Sequence, residues 1–185
     1  MVNHIYFGGS RHFSLCSVNL PRVSAVVSAV VAAGSFVHVG CQHGADHAVI
    51  RSACLLRHPH NSPSKFLRVF AVASSLAQSP SHVQLAVTQS VPVTFSAGGQ
   101  SAPIHARYLL RSIAAFQGCA AAVFFNPGAG SLAVARECVR SGLPVFAFQV
   151  AAPASVPSVS GQWVASSFMG FACWSWSAPI QIPLF

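Results

Sequence analysis

Three glycine-rich turns carry the residue types in this sequence that can hold an anion. They are Gly8-Gly9-Ser10-Arg11, the stretch from Gly40 to Asp46, and Asn126-Pro127-Gly128-Ala129-Gly130-Ser131. Each turn follows an apolar run, and the third precedes a helical pattern that we expect to begin at Leu132. A turn between a strand and a helix places backbone N–H groups and the helix N-terminus in front of an anion. We therefore expect a phosphate- or nucleotide-binding site at these turns.

Two side chains in these turns have two possible roles each. Asp46 falls in the first turn of a predicted helix, where it either interacts with the helix dipole or accepts a hydrogen bond from a ribose hydroxyl. Ser131 is by type and position a natural N-cap of its helix, and its hydroxyl could equally donate to a phosphate, which is the role that the fold expected below favours. Arg11 follows the first turn closely enough to reach the same anion.

Two arginine pairs have helical spacing. Arg107 and Arg111 share one predicted helix face, as do Arg136 and Arg140, with Glu137 beside the second pair. Each pair is either a solvated helix face or a place where a bound anion bridges two like charges. Glu137 and Asp46 are also the candidate acid–base residues, because they are the only acidic residues of the chain.

His43 and His47 are one helical turn apart, which is a spacing that can ligate a metal ion. No glutamate lies between them, and no third ligand is evident from the sequence. We therefore expect no metal site.

The charge balance favours an anionic partner over several classes of catalyst. Among 185 residues there are ten Lys and Arg against two acids, which gives a formal net charge of +8. All but one of the cations are arginine, the residue that binds phosphate in a bidentate manner. A nucleotide, a nucleic acid or a phosphorylated metabolite would fit, although a compositional bias of the genome would give the same balance. Glycosidase-type catalysis needs a pair of carboxylates, and a carboxylate-rich Mg²⁺ site needs several. A chain with two acids therefore disfavours both, unless the phosphates of a ligand hold the metal.

The alternation of apolar strands and helices predicts an α/β fold, a Rossmann-like three-layer domain with a mostly parallel sheet. Strands are expected at 2–7, 36–39, 66–73, 91–95, 119–125 and 144–148. Helices are expected at 22–33, 44–56, 74–88 (broken or started by Pro80), 102–116 and 132–140. Several strands end in glycine, which is typical of the ligand-binding edge of an open sheet.

The chain is expected to divide into a nucleotide-binding domain at 1–150 and a C-terminal segment at 151–185. That segment joins a Pro/Ser-rich linker to a charge-free, Trp-rich end, which we expect to pack on the domain or on a dimer partner. No unbroken apolar run of about 18 residues is present, so we expect no membrane span. Neither a signal peptide nor a disulfide framework is evident, and the six cysteines are expected to be reduced thiols of a cytoplasmic protein.

Together the three turns resemble the SLOG superfamily, which includes the Lonely-guy phosphoribohydrolases, the DNA-processing protein A family and nucleotide-sensing domains. Ile5 to Arg11 is similar to the opening strand and Gly-Ser turn of that superfamily, and Gly40 to Asp46 to its Gly-Ala-Asp turn. Arg107 to Phe148 is similar to its C-terminal block of helix, strand, Pro-Gly-x-Gly-Ser turn, helix and Gly-x-Pro-Val strand. The resemblance implies a Rossmann-like fold, a nucleotide-derived ligand and a homodimer.

The resemblance also defines the expected site and its alternatives. The expected ligand-binding residues are Gly8, Gly9, Ser10, Arg11, Gly40, Gly44, Asp46, Arg107, Arg111, Pro127, Gly128, Gly130 and Ser131. The catalytic glutamate of the Lonely-guy enzymes is replaced here by Ala133 or Val134. We therefore expect a protein that binds a nucleotide or nucleotide-derived ligand as a sensor or sequestering protein. The alternatives are a hydrolase of N-glycosidic or phosphate bonds, and a single-stranded DNA-binding protein.

Overall fold

The computed structural model describes residues 3–16, 19–56, 62–72, 76–95 and 102–178. Within these ranges the strands are β1 (His4–Gly9), β2 (Phe36–Val39), β3 (Leu67–Ala71), β4 (Val93–Phe95), β5 (Ala121–Phe125), β6 (Val145–Phe148), β7 (Gln162–Phe168) and β8 (Phe171–Ser177). The α-helices are α1 (Asn19–Ala32), α2 (Ala45–Leu55), α3 (Ser81–Thr88), α4 (Ile104–Phe116) and α5 (Ala129–Arg140).

The strands form one sheet in the order β4-β3-β2-β1-β5-β6-β8-β7. The pairs from β4 to β6 are parallel, and β8 then joins β6 in the antiparallel direction, with β7 outside it as a hairpin partner. All six parallel strands therefore end at the same edge of the sheet, which we call the carboxyl edge; the other is the amino edge.

Both faces of the central parallel strands β1 and β5 are buried, which explains their continuous apolar sequences. In β1, Phe7 packs in a cluster with the valines of α1, whereas the neighbouring Tyr6 packs with Ala115 of α4 and Leu132 of α5. Helices α1, α2 and α3 thus cover one face, and α4 and α5 cover the other. The prediction of a Rossmann-like three-layer domain with a mostly parallel sheet is confirmed.

Three helix starts differ from the expectation by three residues or more, and the first of these is α1, which begins at Asn19 and not at residue 22. Helix α5 begins at Ala129 with Gly128 as its N-cap, so Ser131 lies in the first turn and the N-cap alternative for Ser131 is wrong. The physical reason is that Gly128, with φ −96° and ψ −175°, already has the extended backbone that an N-cap needs. Pro80 starts α3 as its N-cap. Residues 74 and 75 of the predicted helix, residue 73 of the predicted strand and Gly98-Gly99 lie outside the described residues.

The Trp-rich end forms the β7–β8 hairpin, which extends the same sheet through β6. Trp163 and Trp176 pack edge to face with ring centroids 5.3 Å apart. The Trp163 indole donates to the carbonyl of Ala154 at 2.9 Å and so ties the preceding linker to the hairpin. Among the described residues, no helix is both long and apolar enough to cross a membrane.

Candidate anion and nucleic-acid interface

The first and third glycine turns lie side by side at the carboxyl edge. Strand β1 is the point at which the strand order reverses, because β2 to β4 lie on one side of it and β5 and β6 on the other. In open α/β sheets, ligands bind in the crevice at such a switch point. The first turn follows β1 and the third follows β5, so both lie at this crevice.

Ser10 is the residue at which the three turns meet. Its N–H donates to the carbonyl of Phe125 at 3.1 Å, next to the third turn. Its own carbonyl accepts from the N–H of Ala45 at 3.0 Å, at the start of α2 after the second turn. A Cβ built on Gly128 would lie 4.0 Å from its hydroxyl oxygen. The fold therefore brings the three turns together.

The tight contacts between turns explain two of the glycines. Gly9 has a φ of +151°, and a Cβ there would collide with the backbone of Phe125. Gly44 has a φ of +79°, and a Cβ there would collide with the carbonyl oxygens of Ser10 and Arg11. These two glycines allow the turns to pack against each other, which is a structural need whether or not a ligand binds.

Gly128 and Gly130, by contrast, face open space. No atom of the described residues lies within 4 Å of a Cβ built on Gly130, and both glycines are exposed. Within the described part of the chain, no side chain caps this helix end, and no acidic residue lies in its first turn. The first N–H groups of an α-helix have no partner inside the helix, so this end presents donors and a positive partial charge to solvent. Ser131 adds a half-buried hydroxyl to the same turn.

A cavity of about 240 Å³ lies beside this helix end. It is bounded by the loop after β1, the start of α1 and the ends of β5 and β6; its lining residues are Phe13, Asn19, Arg22, Phe125, Asn126, Phe148, Gln149 and Val150. Arg22 is exposed and lies over the Phe148 ring, 5.4 Å from its centroid. The cavity therefore combines aromatic walls with one guanidinium and several amides, which the sequence analysis did not single out.

Asp46 and Arg111, both predicted site residues, form a buried ion pair. Arg111 Nη1 lies 3.2 Å from Asp46 Oδ2, with side-chain exposures of 3% and 6%. The same Oδ2 accepts from the backbone N–H of Gln42 at 3.0 Å, which fixes the second turn. Burial raises the pKa of the Asp46 carboxyl, and the Arg111 guanidinium opposes that rise. A ribose contact by Asp46 stays a prediction, and it would compete with this pair.

Two more predicted glycines face protein atoms. A Cβ at Gly40 would overlap the Arg111 guanidinium and the Asp46 carboxylate, so this glycine makes room for the ion pair. A Cβ at Gly8 would lie 3.0 Å from the Tyr6 hydroxyl, inside the layer between the sheet and α4. Tyr6 is buried there, and burial raises the pKa of its phenol.

The remaining predicted charges are distributed unevenly over the molecule. Arg11 is exposed at the first turn, with its Nε 3.2 Å from Nε2 of His12, and Arg107 is half-buried in the first turn of α4. Glu137 instead lies 2.7 Å from Arg136 and 3.5 Å from Arg140. It is eight residues beyond the start of α5, or about 12 Å along the helix axis.

Neither of the two side-chain carboxylates of the chain lies at the open turn, which is the start of α5 at Gly128 to Ser131. Asp46 is buried against Arg111, and Glu137 pairs with arginines two helical turns beyond Ser131. The carboxyl edge consequently presents cations and N–H donors with no exposed side-chain carboxylate to repel an anion. A hydrolase would have no carboxylate at the open turn to act as acid or base.

Three histidines gather next to the second turn. His43, His47 and His82 each offer a ring nitrogen, and these atoms lie within 4.8 Å of one another. His82, the third member, is on α3 and was missed by sequence reasoning because its position depends on how α2 and α3 pack.

Comparisons with known proteins support the fold. No known family matches the sequence, and no curated protein is similar to it in sequence. DNA processing protein A from Helicobacter pylori, described with a single-stranded DNA-binding mode, superposes with a TM-score of 0.63 at 10% identity, covering 80% of this chain and 66% of its own. DNA processing protein A from Streptococcus pneumoniae gives a TM-score of 0.61 at 16% identity, and the superposition covers 85% of this chain and 52% of that protein. The chain thus spans about two thirds and half of these neighbours, and its fold is that of their Rossmann-type domain.

Proposed function

We propose that this chain binds single-stranded DNA through its phosphates at the carboxyl edge of the sheet. The observation that carries the proposal is the open N-terminus of α5 at Gly128 to Ser131, which has no side-chain cap and no neighbouring carboxylate. Anions bind to such helix ends because unpaired N–H groups and the helix dipole both favour negative charge.

Charge around this turn supports a polymeric anion. Arg11 and Arg22 are exposed at the same edge, on the loop after β1 and in the first turns of α1. A strand of DNA that crosses the crevice would place one phosphate on the α5 end and others near these guanidinium groups, which bind phosphate well. The half-buried Phe13 in the adjacent cavity offers an aromatic surface for a base. The Helicobacter pylori protein with a similar fold is described as binding single-stranded DNA, which supports the same partner.

A second candidate is a single nucleotide or nucleotide-derived ligand, for which the protein would be a sensor or a sequestering protein. The cavity of about 240 Å³ favours it, because Arg22, Asn126 and Gln149 surround a space next to the phosphate-binding turn. Ligand pockets are commonly about 300–1,000 Å³, so this cavity suits one part of a nucleotide better than a whole one. For this reason we place single-stranded DNA first.

The test is fluorescence anisotropy with a labelled oligothymidylate, at several salt concentrations, for the wild type and two matched variants. Gly130→Asp adds a carboxylate at the open turn, where it should weaken DNA binding by about tenfold while stabilising α5 by about 0.3–1 kcal/mol through the dipole. Gln117→Glu makes the same change in charge at the exposed C-cap of α4, on the amino edge. It should change the dissociation constant less than about twofold.

The outcomes separate the candidates. Affinity of the wild type should fall steeply with salt, with a slope near −0.7 per phosphate contacted. Binding that is insensitive to salt, or equal weakening by the two variants, would contradict the proposal. If AMP binds and loses affinity in Gly130→Asp while the oligonucleotide does not bind, the second candidate is correct. The homodimer and the cytoplasmic location stay predictions; light scattering of the purified chain tests the first.

A further inference from the structure

The histidine cluster is built from two helices that face each other next to the second turn. His43 precedes the N-cap Gly44 of α2, His47 is in the first turn of α2, and His82 is the second residue of α3. The ring centroids of His47 and His82 are 4.6 Å apart with nearly parallel planes. Those of His43 and His82 are 5.5 Å apart with the planes steeply inclined.

His82 has the hydrogen bonding of an oriented metal ligand. It is 2% exposed, and its Nε2 lies 3.0 Å from the carbonyl oxygen of Cys41. A carbonyl only accepts, so Nε2 carries the proton in this contact, and in the neutral ring Nδ1 then carries the lone pair. Ligating histidines are commonly held in this way, with the second ring nitrogen donating to a carbonyl.

The Nδ1 atom of His82 is buried and has no hydrogen-bond partner among the described residues. A buried polar atom without a partner is costly and calls for an explanation, such as an ion. Only the neutral ring offers a lone pair to a metal.

Gly44 shapes the turn in which His43 lies. Its φ of +79° makes the sharp turn before α2, and its lack of a Cβ lets that turn pack on Ser10. His43 is exposed, His47 is half-buried and His82 is buried, so the cluster opens to solvent on one side.

We propose that His43, His47 and His82 bind a divalent transition metal of the zinc type, with one coordination position open to solvent. Imidazole suits zinc, and three protein ligands with one open position are typical of sites at which the metal also binds water or a ligand oxygen. In a tetrahedral site with Zn–N of about 2.0–2.1 Å, ligand nitrogens are about 3.3 Å apart. Here the three ring nitrogens lie within 4.8 Å of one another, so a small side-chain adjustment has to bring them closer. The exposed His43 and the half-buried His47 can make that adjustment.

A metal here would add positive charge to the carboxyl edge. Three neutral imidazoles leave the charge of the metal uncompensated, and Asp46, the nearest acid in sequence, is already paired with Arg111. The open position would therefore take water or an oxygen of an anionic ligand. This site is separate from the open end of α5, so it does not depend on the proposed DNA binding.

Calorimetric titration of the chelator-treated full chain with Zn²⁺ tests the proposal. The wild type should bind one Zn²⁺, and His43→Ala/His47→Ala should weaken that binding by about 100-fold or more. The matched control is His12→Ala/His105→Ala, which removes two exposed histidines outside the cluster and should leave the affinity unchanged. Absence of binding by the wild type would overturn the proposal. Equal affinity in the cluster variant would overturn it as well, since the metal would then bind elsewhere, as at the cysteines.

The buried histidine needs a test that does not depend on refolding of a variant. Nitrogen NMR of the wild-type imidazoles should show Nδ1 of His82 shifting on addition of Zn²⁺ while Nε2 keeps its proton. Cobalt in place of zinc should give the intense visible absorption of a tetrahedral site. If Nδ1 of His82 is unaffected at saturating Zn²⁺, His82 is not a ligand and the proposal is wrong.

Discussion

The buried ion pair between Asp46 and Arg111 predicts how single and double substitutions of the two residues change the stability of the fold. The two side chains are 6% and 3% exposed, and their charged atoms are 3.2 Å apart. Removing one partner leaves the other charge buried without compensation, which costs about 3–5 kcal/mol. At about 2–4 °C per kcal/mol for a chain of this size, Arg111→Met or Asp46→Asn should lower Tm by about 6–20 °C.

The double variant Asp46→Asn/Arg111→Met should behave differently. It leaves no buried charge, and replacing a whole buried pair by uncharged groups is often close to neutral. We expect it to lose no more stability than either single variant, which corresponds to a coupling energy of about 3 kcal/mol or more. Urea unfolding followed by far-UV circular dichroism measures the free energy of unfolding of the wild type, the two single variants and the double variant. If the losses of the single variants simply add in the double variant, the pair is not coupled and the reasoning is refuted.

Gly40 extends the same experiment. A Cβ at this position overlaps the Arg111 guanidinium, so Gly40→Ala should displace Arg111 and cost about as much as losing it, again about 3–5 kcal/mol. In the Arg111→Met background the same substitution should cost clearly less. The matched control is Gly130→Ala, where a Cβ meets open space and should be neutral or slightly stabilising.

Three further predictions concern thiols, Glu137 and the hairpin. Burial raises the pKa of Cys119 to about 12, so its thiolate forms only as the pH approaches that value. Iodoacetamide at pH 8 should therefore label the exposed Cys16 before Cys119. Equal labelling rates of the two thiols would contradict this. Glu137→Gln should change the oligonucleotide affinity by less than about twofold, and the free energy of unfolding by less than about 1 kcal/mol because the ion pairs of Glu137 are partly exposed. If instead the wild type releases the base from a nucleotide and this variant does not, the hydrolase alternative is supported. Trp163→Phe removes one hydrogen bond to Ala154 and should cost about 0.5–1.5 kcal/mol in urea unfolding, whereas no loss would mean that the bond is made equally well with water.

The fold was predictable because its signals are local. Continuous apolar runs predicted all six parallel strands to within about two residues at their ends, and the glycine turns between strand and helix indicated the carboxyl edge. The N-cap of α5 was misplaced because Ser131 is the better capping residue by type, whereas the backbone already has the N-cap conformation at Gly128. The antiparallel hairpin of the Trp-rich end was not foreseen, since its apolar pattern is compatible with several ways of packing.

The details of the site depend on contacts between residues far apart in sequence. Asp46 and Arg111 are 65 positions apart, and no local pattern indicates that they pair. His82 reaches His43 and His47 only through the packing of α3 on α2, so the sequence offered two ligands where the structure offers three. Gly44 stays a predicted ligand-binding residue, and only the structure shows that a Cβ there would meet backbone atoms of the first turn. Pairings of this kind require the tertiary structure.

The most direct test of DNA binding at the carboxyl edge is a map of backbone amide shifts during titration with an oligothymidylate. We expect the largest changes on the N–H groups of Ala129, Gly130 and Ser131, with smaller ones at Ser10 and Arg11. The same titration of Gly130→Asp should leave these amides nearly unchanged at equal DNA concentration. Changes confined to the β7–β8 hairpin or the amino edge, with the amides of Ala129 to Ser131 unmoved, would contradict the account.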